Sequence, residues 1–174
     1  MPAASISLNE MTPVMERLPS YDAYAAPRRA VDGERAFRRS LGRLLKECGD
    51  HLLSAAEQGA LSLSGEQEEI IDLLVDYISA IFRRLDREGQ VVIAGDPART
   101  VPELEELDSR LLLLAETALQ LTRRLDTAAP AEQWFRDDAV LLGQDLADLH
   151  RTTEERNYLL GLGWESEFAA MRRG

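Results

Sequence analysis

Apolar residues recur at three- and four-residue spacings over long stretches of this chain, while strict alternation is nearly absent, so the pattern predicts helices and almost no strand. The first long helix is expected over 32–58. Phe37, Leu41, Leu44, Cys48, Leu52 and Ala55 line one face, Asp32 stands where a cap belongs, and Gly59 ends it. The second is expected over 64–88. Ser64-Gly65-Glu66-Gln67 has capping-box spacing, and two adjacent seams follow, Ile70/Leu74/Tyr77/Ile81/Leu85 and Ile71/Val75/Ile78/Phe82. A helix with two apolar seams packs against more than one neighbour.

A third helix is expected over 100–126, opened by Thr100 and Glu103 as a second capping box. Leu104, Leu107, Leu111, Leu114, Ala118, Leu121 and Leu125 form its seam, and the extra stripe Leu112/Ala115/Leu119 makes it central. A fourth starts near Ala131 after Pro130 and runs to His150 with Phe135, Ala139, Leu142, Leu146 and Leu149 inward. It either continues through Tyr158 and Leu160 or breaks at Thr152-Thr153. Residues 164–173 read as a last short helix, and Val91-Val92-Ile93 as one extended piece, which cannot build a sheet alone. Four long helices with mostly short links predict an all-α fold, an antiparallel four-helix bundle.

Residues 1–31 depart from this pattern. They hold four of the seven prolines, Pro2, Pro13, Pro19 and Pro27, and read as a flexible or partner-binding arm ahead of a bundle domain over 32–174. Within the arm, Leu8, Met11, Met15 and Leu18 are spaced to line one face of a short helix that orders on a partner.

The 174 residues suit one domain able to bury a core without staples. No apolar run has the ~18–20 residues of a membrane span, and the first residues lack the pattern of a secretory signal. A single cysteine, Cys48, rules out an internal disulfide, and a reducing cytoplasm is the expected location. Lys46 is the only lysine among 20 cations, a bias that suggests a GC-rich bacterial genome.

Net charge is −11, which disfavours general nucleic-acid binding. The charge is unevenly placed. Arg28, Arg29, Arg35, Arg38, Arg39, Arg43 and Lys46 face only Asp32 and Glu34 in the stretch 28–46, ahead of a strongly acidic remainder. Arg35, Arg38 and Arg39 fall in the first turns of a helix, where the macrodipole disfavours cations, and Arg35, Arg39, Arg43 and Lys46 share one helical face. Local helix stability does not explain them. They are either partners for the domain's own acids or a docking face for an acidic protein, a phosphate, RNA or an anionic membrane.

Candidate chemistry is thin. Cys48, His51 and His150 are the one conceivable zinc set, without the usual paired spacing. His150 lacks the small surroundings expected of a phosphotransfer histidine. No nucleophile elbow or phosphate loop is present, and no cofactor is implied. Trp134 and Phe135 are adjacent, so one is expected in the core and the other exposed. Tyr21 and Tyr24 lie in the arm. The sequence therefore predicts a non-catalytic protein–protein interaction module, an adaptor, chaperone or regulator. Its partner-binding residues are Leu8, Met11, Met15, Leu18, Arg35, Arg39, Arg43 and Lys46. Self-assembly into a homo-oligomer, and nucleic-acid association through 28–46, are the alternatives.

Overall fold

The structure is a computed structural model that describes residues 18, 21, 24, 27–57, 63–85, 97–125, 128 and 131–161, without the side chains of 27–30 and 97. The chain is an all-α helical bundle. Its elements are α1 (Pro27–Glu57), α2 (Gly65–Leu85), α3 (Pro97–Leu125), α4 (Ala131–Arg136) and α5 (Asp138–Leu159). No strand occurs among the described residues. The expected helix at 164–173, the extended piece at 91–93 and the arm residues Leu8, Met11 and Met15 lie outside them.

Cross-helix contacts define the topology. Gly42 lies against Phe82 and Gly49 against Ile78, so α1 and α2 run antiparallel. Glu34 and Asp108 share one arginine, and Glu47 pairs with Arg123, so α1 and α3 run parallel. Arg110 reaches Asp148 and Arg124 reaches Asp138, so α3 and α5 are antiparallel. Leu74 meets Gly143 and Arg84 meets His150, so α2 and α5 are parallel. The extensive interfaces are α3 with α5, α1 with α3, α2 with α5 and α1 with α2. The helices joined by 86–96 therefore lie on a diagonal, and each long helix has one antiparallel and one parallel neighbour.

Several boundaries differ from the sequence expectation for physical reasons. Helix α1 begins at Pro27 and α3 at Pro97, not at Asp32 and Thr100. Proline suits a first helical position because its missing N–H would be unpaired there anyway. Asp32 is exposed inside α1, and Thr100 is buried inside α3, so neither is the cap. The Ser64 box does form: Gln67 N–H donates to Ser64 Oγ at 3.3 Å, and Ser64 N–H donates to Gln67 Oε1 at 3.0 Å.

The expected fourth helix is two. A turn at Asp137 separates α4 from α5, and α5 then runs unbroken through Thr152-Thr153. Trp134 and Phe135 are both buried, contrary to expectation. Neighbours on a helix point ~100° apart, and the main core receives both rings. There Trp134 Nε1–H donates to the Leu121 carbonyl at 2.8 Å, and the two rings meet edge to face at 5.1 Å.

The buried stripe of α3 is rotated from the predicted leucine seam. Leu104, Asp108, Leu111, Ala115, Ala118, Thr122 and Leu125 face inward with Leu112, Leu119 and Leu121, while Leu107 and Leu114 are half-exposed. Two neighbours, α1 and α5, pull the stripe toward the bisector between them. In α2 the two predicted seams likewise merge into Ile71, Leu74, Ile78, Ile81 and Leu85, and Tyr77 is left exposed.

Candidate functional site

The chemistry of this bundle is concentrated at the end where α1 and α3 begin and α2 and α5 finish. Arg156, on α5, is completely buried there. Its Nη1 and Nη2 donate to the two oxygens of Glu34 on α1, at 2.5 and 2.6 Å. Its Nε donates to Asp108 Oδ1 on α3, and its Nη2 approaches Asp108 Oδ2 at 3.4 Å. The guanidinium lies over the Phe37 ring, 4.3 Å from its centroid. One planar cation thus ties three helices together, with the fork geometry arginine brings to carboxylates.

The two acids are not equivalent. Glu34 also accepts from Arg38 Nε at 2.5 Å, and Arg38 donates to the Leu85 carbonyl at 3.0 Å. Burial alone would raise the Glu34 carboxyl, but Arg156 and Arg38 together hold it down at about 2. Asp108 has only a share of Arg156 as its cation. Burial, reinforced by the nearby Glu34 charge, outweighs that share and raises its proton affinity above the usual carboxylate range. Arg156 itself is buried, which works against its charge, but the two flanking carboxylates keep it protonated.

Two tyrosines from the arm close this end. Tyr21 O–H donates to Asp108 Oδ2 and Tyr24 O–H donates to Glu34 Oε2, each at 3.0 Å. Their rings stack at 5.8 Å, and they pack with Leu104, Leu160, Val101, Leu159 and Val31 in a small apolar cluster. Burial, then the carboxylate each phenol faces, pushes both phenols above their ordinary value. Leu18, just upstream, packs half-buried against the main core.

The expected cationic face forms on the outside of α1. Arg35, Arg39, Arg43 and Lys46 are all exposed. Arg35 approaches Asp32 at 3.9 Å and Lys46 pairs with Asp50 at 2.5 Å, both in solvent, where such pairs are worth little. Arg39 and Arg43 form no ion pair with any described residue. Arg38, from the same basic stretch, turns inward and belongs to the buried cluster.

The metal reading finds no support. Cys48 lies buried level with Ile78, His51 sits beside Glu47 at 4.0 Å, and His150 accepts from Arg84 Nε at 2.7 Å near the far end of α2. Among the described residues no group of three His, Cys, Asp or Glu side chains is arranged to hold a metal ion. Burial pushes the Cys48 thiol up to about 12, which makes it a packing residue and a poor nucleophile.

The sequence reading missed the Glu34–Asp108–Arg156 cluster altogether. A signal was present. The spacing Leu142, Leu146, Leu149, Thr153, Arg156, Leu160 continues the inward stripe of α5 straight through Arg156. Glu34 precedes Phe37 and Leu41 in the same way, and Asp108 lies between Leu104 and Leu111. Three helices each place one ionisable residue on a core position, with charges that complement.

Comparisons with protein-family models, with curated proteins and with solved structures return no match.

Proposed function

We propose that this protein is a non-catalytic interaction module that docks an acidic protein on the outer face of α1, as a bacterial cytoplasmic adaptor, chaperone or regulator does. The observation that carries the reading is the cationic ridge of Arg35, Arg39, Arg43 and Lys46, which stands exposed on a chain of net charge −11. Arg39 and Arg43, at its centre, contribute no ion pair to the described bundle. Their field steers an anionic surface toward α1. The ionised groups with the strongest perturbation are sealed inside the bundle end, which suits a structural role for them better than contact with a substrate. No described helix is long and apolar enough to cross a membrane.

The test is capture from the host with two baits, the full chain and its R39E/R43E variant, alongside binding to heparin and to RNA. The reading expects an acidic protein that is stoichiometric with the wild type, released by salt and lost from the variant. Equal recovery by both baits removes the ridge from the interface. Retention on RNA with a steep salt dependence replaces the acidic protein by nucleic acid.

A self-assembly reading has its own observation. Leu73 and Tyr77 on α2 are exposed one turn apart, and Val140 and Leu141 on α5 are exposed near the level where Leu74 meets Gly143. Light scattering across micromolar concentrations decides it, since a constant monomer mass excludes a second copy as the occupant.

A further inference from the structure

We propose that Tyr21 and Tyr24 form a releasable latch, which holds the arm on the bundle end through two phenol–carboxylate hydrogen bonds and opens without unfolding the bundle. The proposal rests on the interaction-module reading only for its purpose, which is to free the arm for a partner.

The construction of the site separates the latch from what lies beneath it. Arg156 already gives both carboxylates their charged partner, and Arg38 adds a second donor to Glu34. When the phenols leave, Glu34 and Asp108 remain paired beneath the surface and their outer oxygens turn to water. Opening therefore strands no buried charge, the event that makes most buried ion clusters resist exposure. What is lost is the burial of two stacked rings and two hydrogen bonds to charged acceptors. The rings are three residues apart and stacked on each other, so the first to leave strips a contact from the second, and the pair opens as a unit. Leu18 lies just upstream and packs half-buried against the main core.

The site also selects the hydroxyl over the ring. Phenylalanine would fill the same apolar cluster of Leu104, Leu160, Val101 and Val31 but would set a hydrocarbon edge against two carboxylates. A site built to bond a hydroxyl discriminates sharply against the analogue lacking it. The latch is therefore read by the bundle as Tyr-x-x-Tyr, not as any aromatic pair.

Native-state hydrogen exchange by mass spectrometry on the full chain tests this, with wild type beside Y21F/Y24F. Peptides spanning 18–31 in the wild type should exchange by an opening that is nearly independent of low urea, while peptides from the centres of α3 and α5 follow global unfolding. In the double variant the first group should lose roughly 100- to 10,000-fold of its protection, the size expected for two hydrogen bonds to charged acceptors. The second group should lose the same free energy, because global unfolding also breaks the latch, but should keep its steep dependence on urea. Unchanged protection of 18–31 overturns the latch. So does an opening of 18–31 as steep in urea as that of α3 and α5, or a variant that does not fold, because the tyrosines would then be core and not strap. None of these readouts involves a partner, so an R39E/R43E result can fail independently of this one.

Discussion

Replacing Arg156 by methionine should be the most damaging single change at the bundle end. Methionine fills much of the same volume but removes every charged bond that the guanidinium makes to Glu34 and Asp108. Glu34 keeps Arg38 and the Tyr24 hydroxyl, whereas Asp108 keeps only the Tyr21 hydroxyl among the described side chains. Removing one member of a buried ion cluster typically costs ~3–5 kcal/mol, because the charge left behind has neither water nor partner. With a urea slope of about 2 kcal/mol/M, the midpoint should fall by roughly 1.5–2.5 M. Adding Asp108→Asn should return part of that loss, since it removes the worse-compensated charge. The pH dependence supplies an independent sign. Without Arg156, burial and mutual repulsion raise both carboxylates above their unfolded values, so protonation favours the folded state and the variant should gain stability as pH falls from neutral. A midpoint shift under about 0.5 M, or a variant whose stability only declines on acidification from neutral, would refute the role of Arg156 as the charge that compensates both acids.

Three further outcomes follow from the same reasoning. Glu34→Gln should lower stability at neutral pH by about 3 kcal/mol, the linkage value of a carboxyl moved from 4.5 to about 2. Wild type holds that contribution above the unfolded pKa and loses it as pH falls toward 2, so an acid titration followed by circular dichroism should show a shallower limb in the variant. Cys48 should resist a thiol reagent at pH 8 in the folded protein and react on addition of denaturant, because its thiol is buried and held up at about 12; a rate like that of a free thiol before unfolding contradicts this. Thr152 is completely buried, and its Oγ1 has no hydrogen-bond partner among the described residues. Thr152→Val should therefore be neutral or stabilise by up to ~1 kcal/mol in thermal melts, and a clear loss would mean that the hydroxyl is bonded.

Cutting the arm off at Tyr24 would remove an apolar cap as well as the proposed interaction segment, so truncation alone does not separate packing from the proposed docking. The phenylalanine variants do, because they keep the rings that pack on Leu104 and Leu160 and delete only the hydroxyls.

The helical class and the long helices were legible in the sequence, because amphipathic spacing is a local property with a period set by the backbone. Phe37, Leu41, Cys48 and Leu52 on α1, and Leu142, Leu146 and Leu149 on α5, are buried where their spacing put them. The Ser64–Gln67 box was legible for the same reason, since both bonds close within one turn. The exposed face Arg35/Arg39/Arg43/Lys46 is a consequence of that periodicity too.

What the tertiary structure alone decided is everything that depends on where a neighbour lies. The inward stripe of α3 includes Asp108 and Thr122 and leaves Leu107 half-exposed, because two helices share its flank. Trp134 and Phe135 are buried together because the main core receives both rings and the Leu121 carbonyl accepts the indole N–H, and Tyr21 and Tyr24 are held on the bundle because carboxylates on α1 and α3 accept their hydroxyls. Arg156 stands on the inward stripe of its own helix, but that stripe does not say which charges it meets. It is separated from Asp108 by 48 positions and from Glu34 by 122, and no local pattern couples residues so far apart. Only the bundle brings the three charges within bonding distance, and only there does burying an arginine cease to be prohibitive.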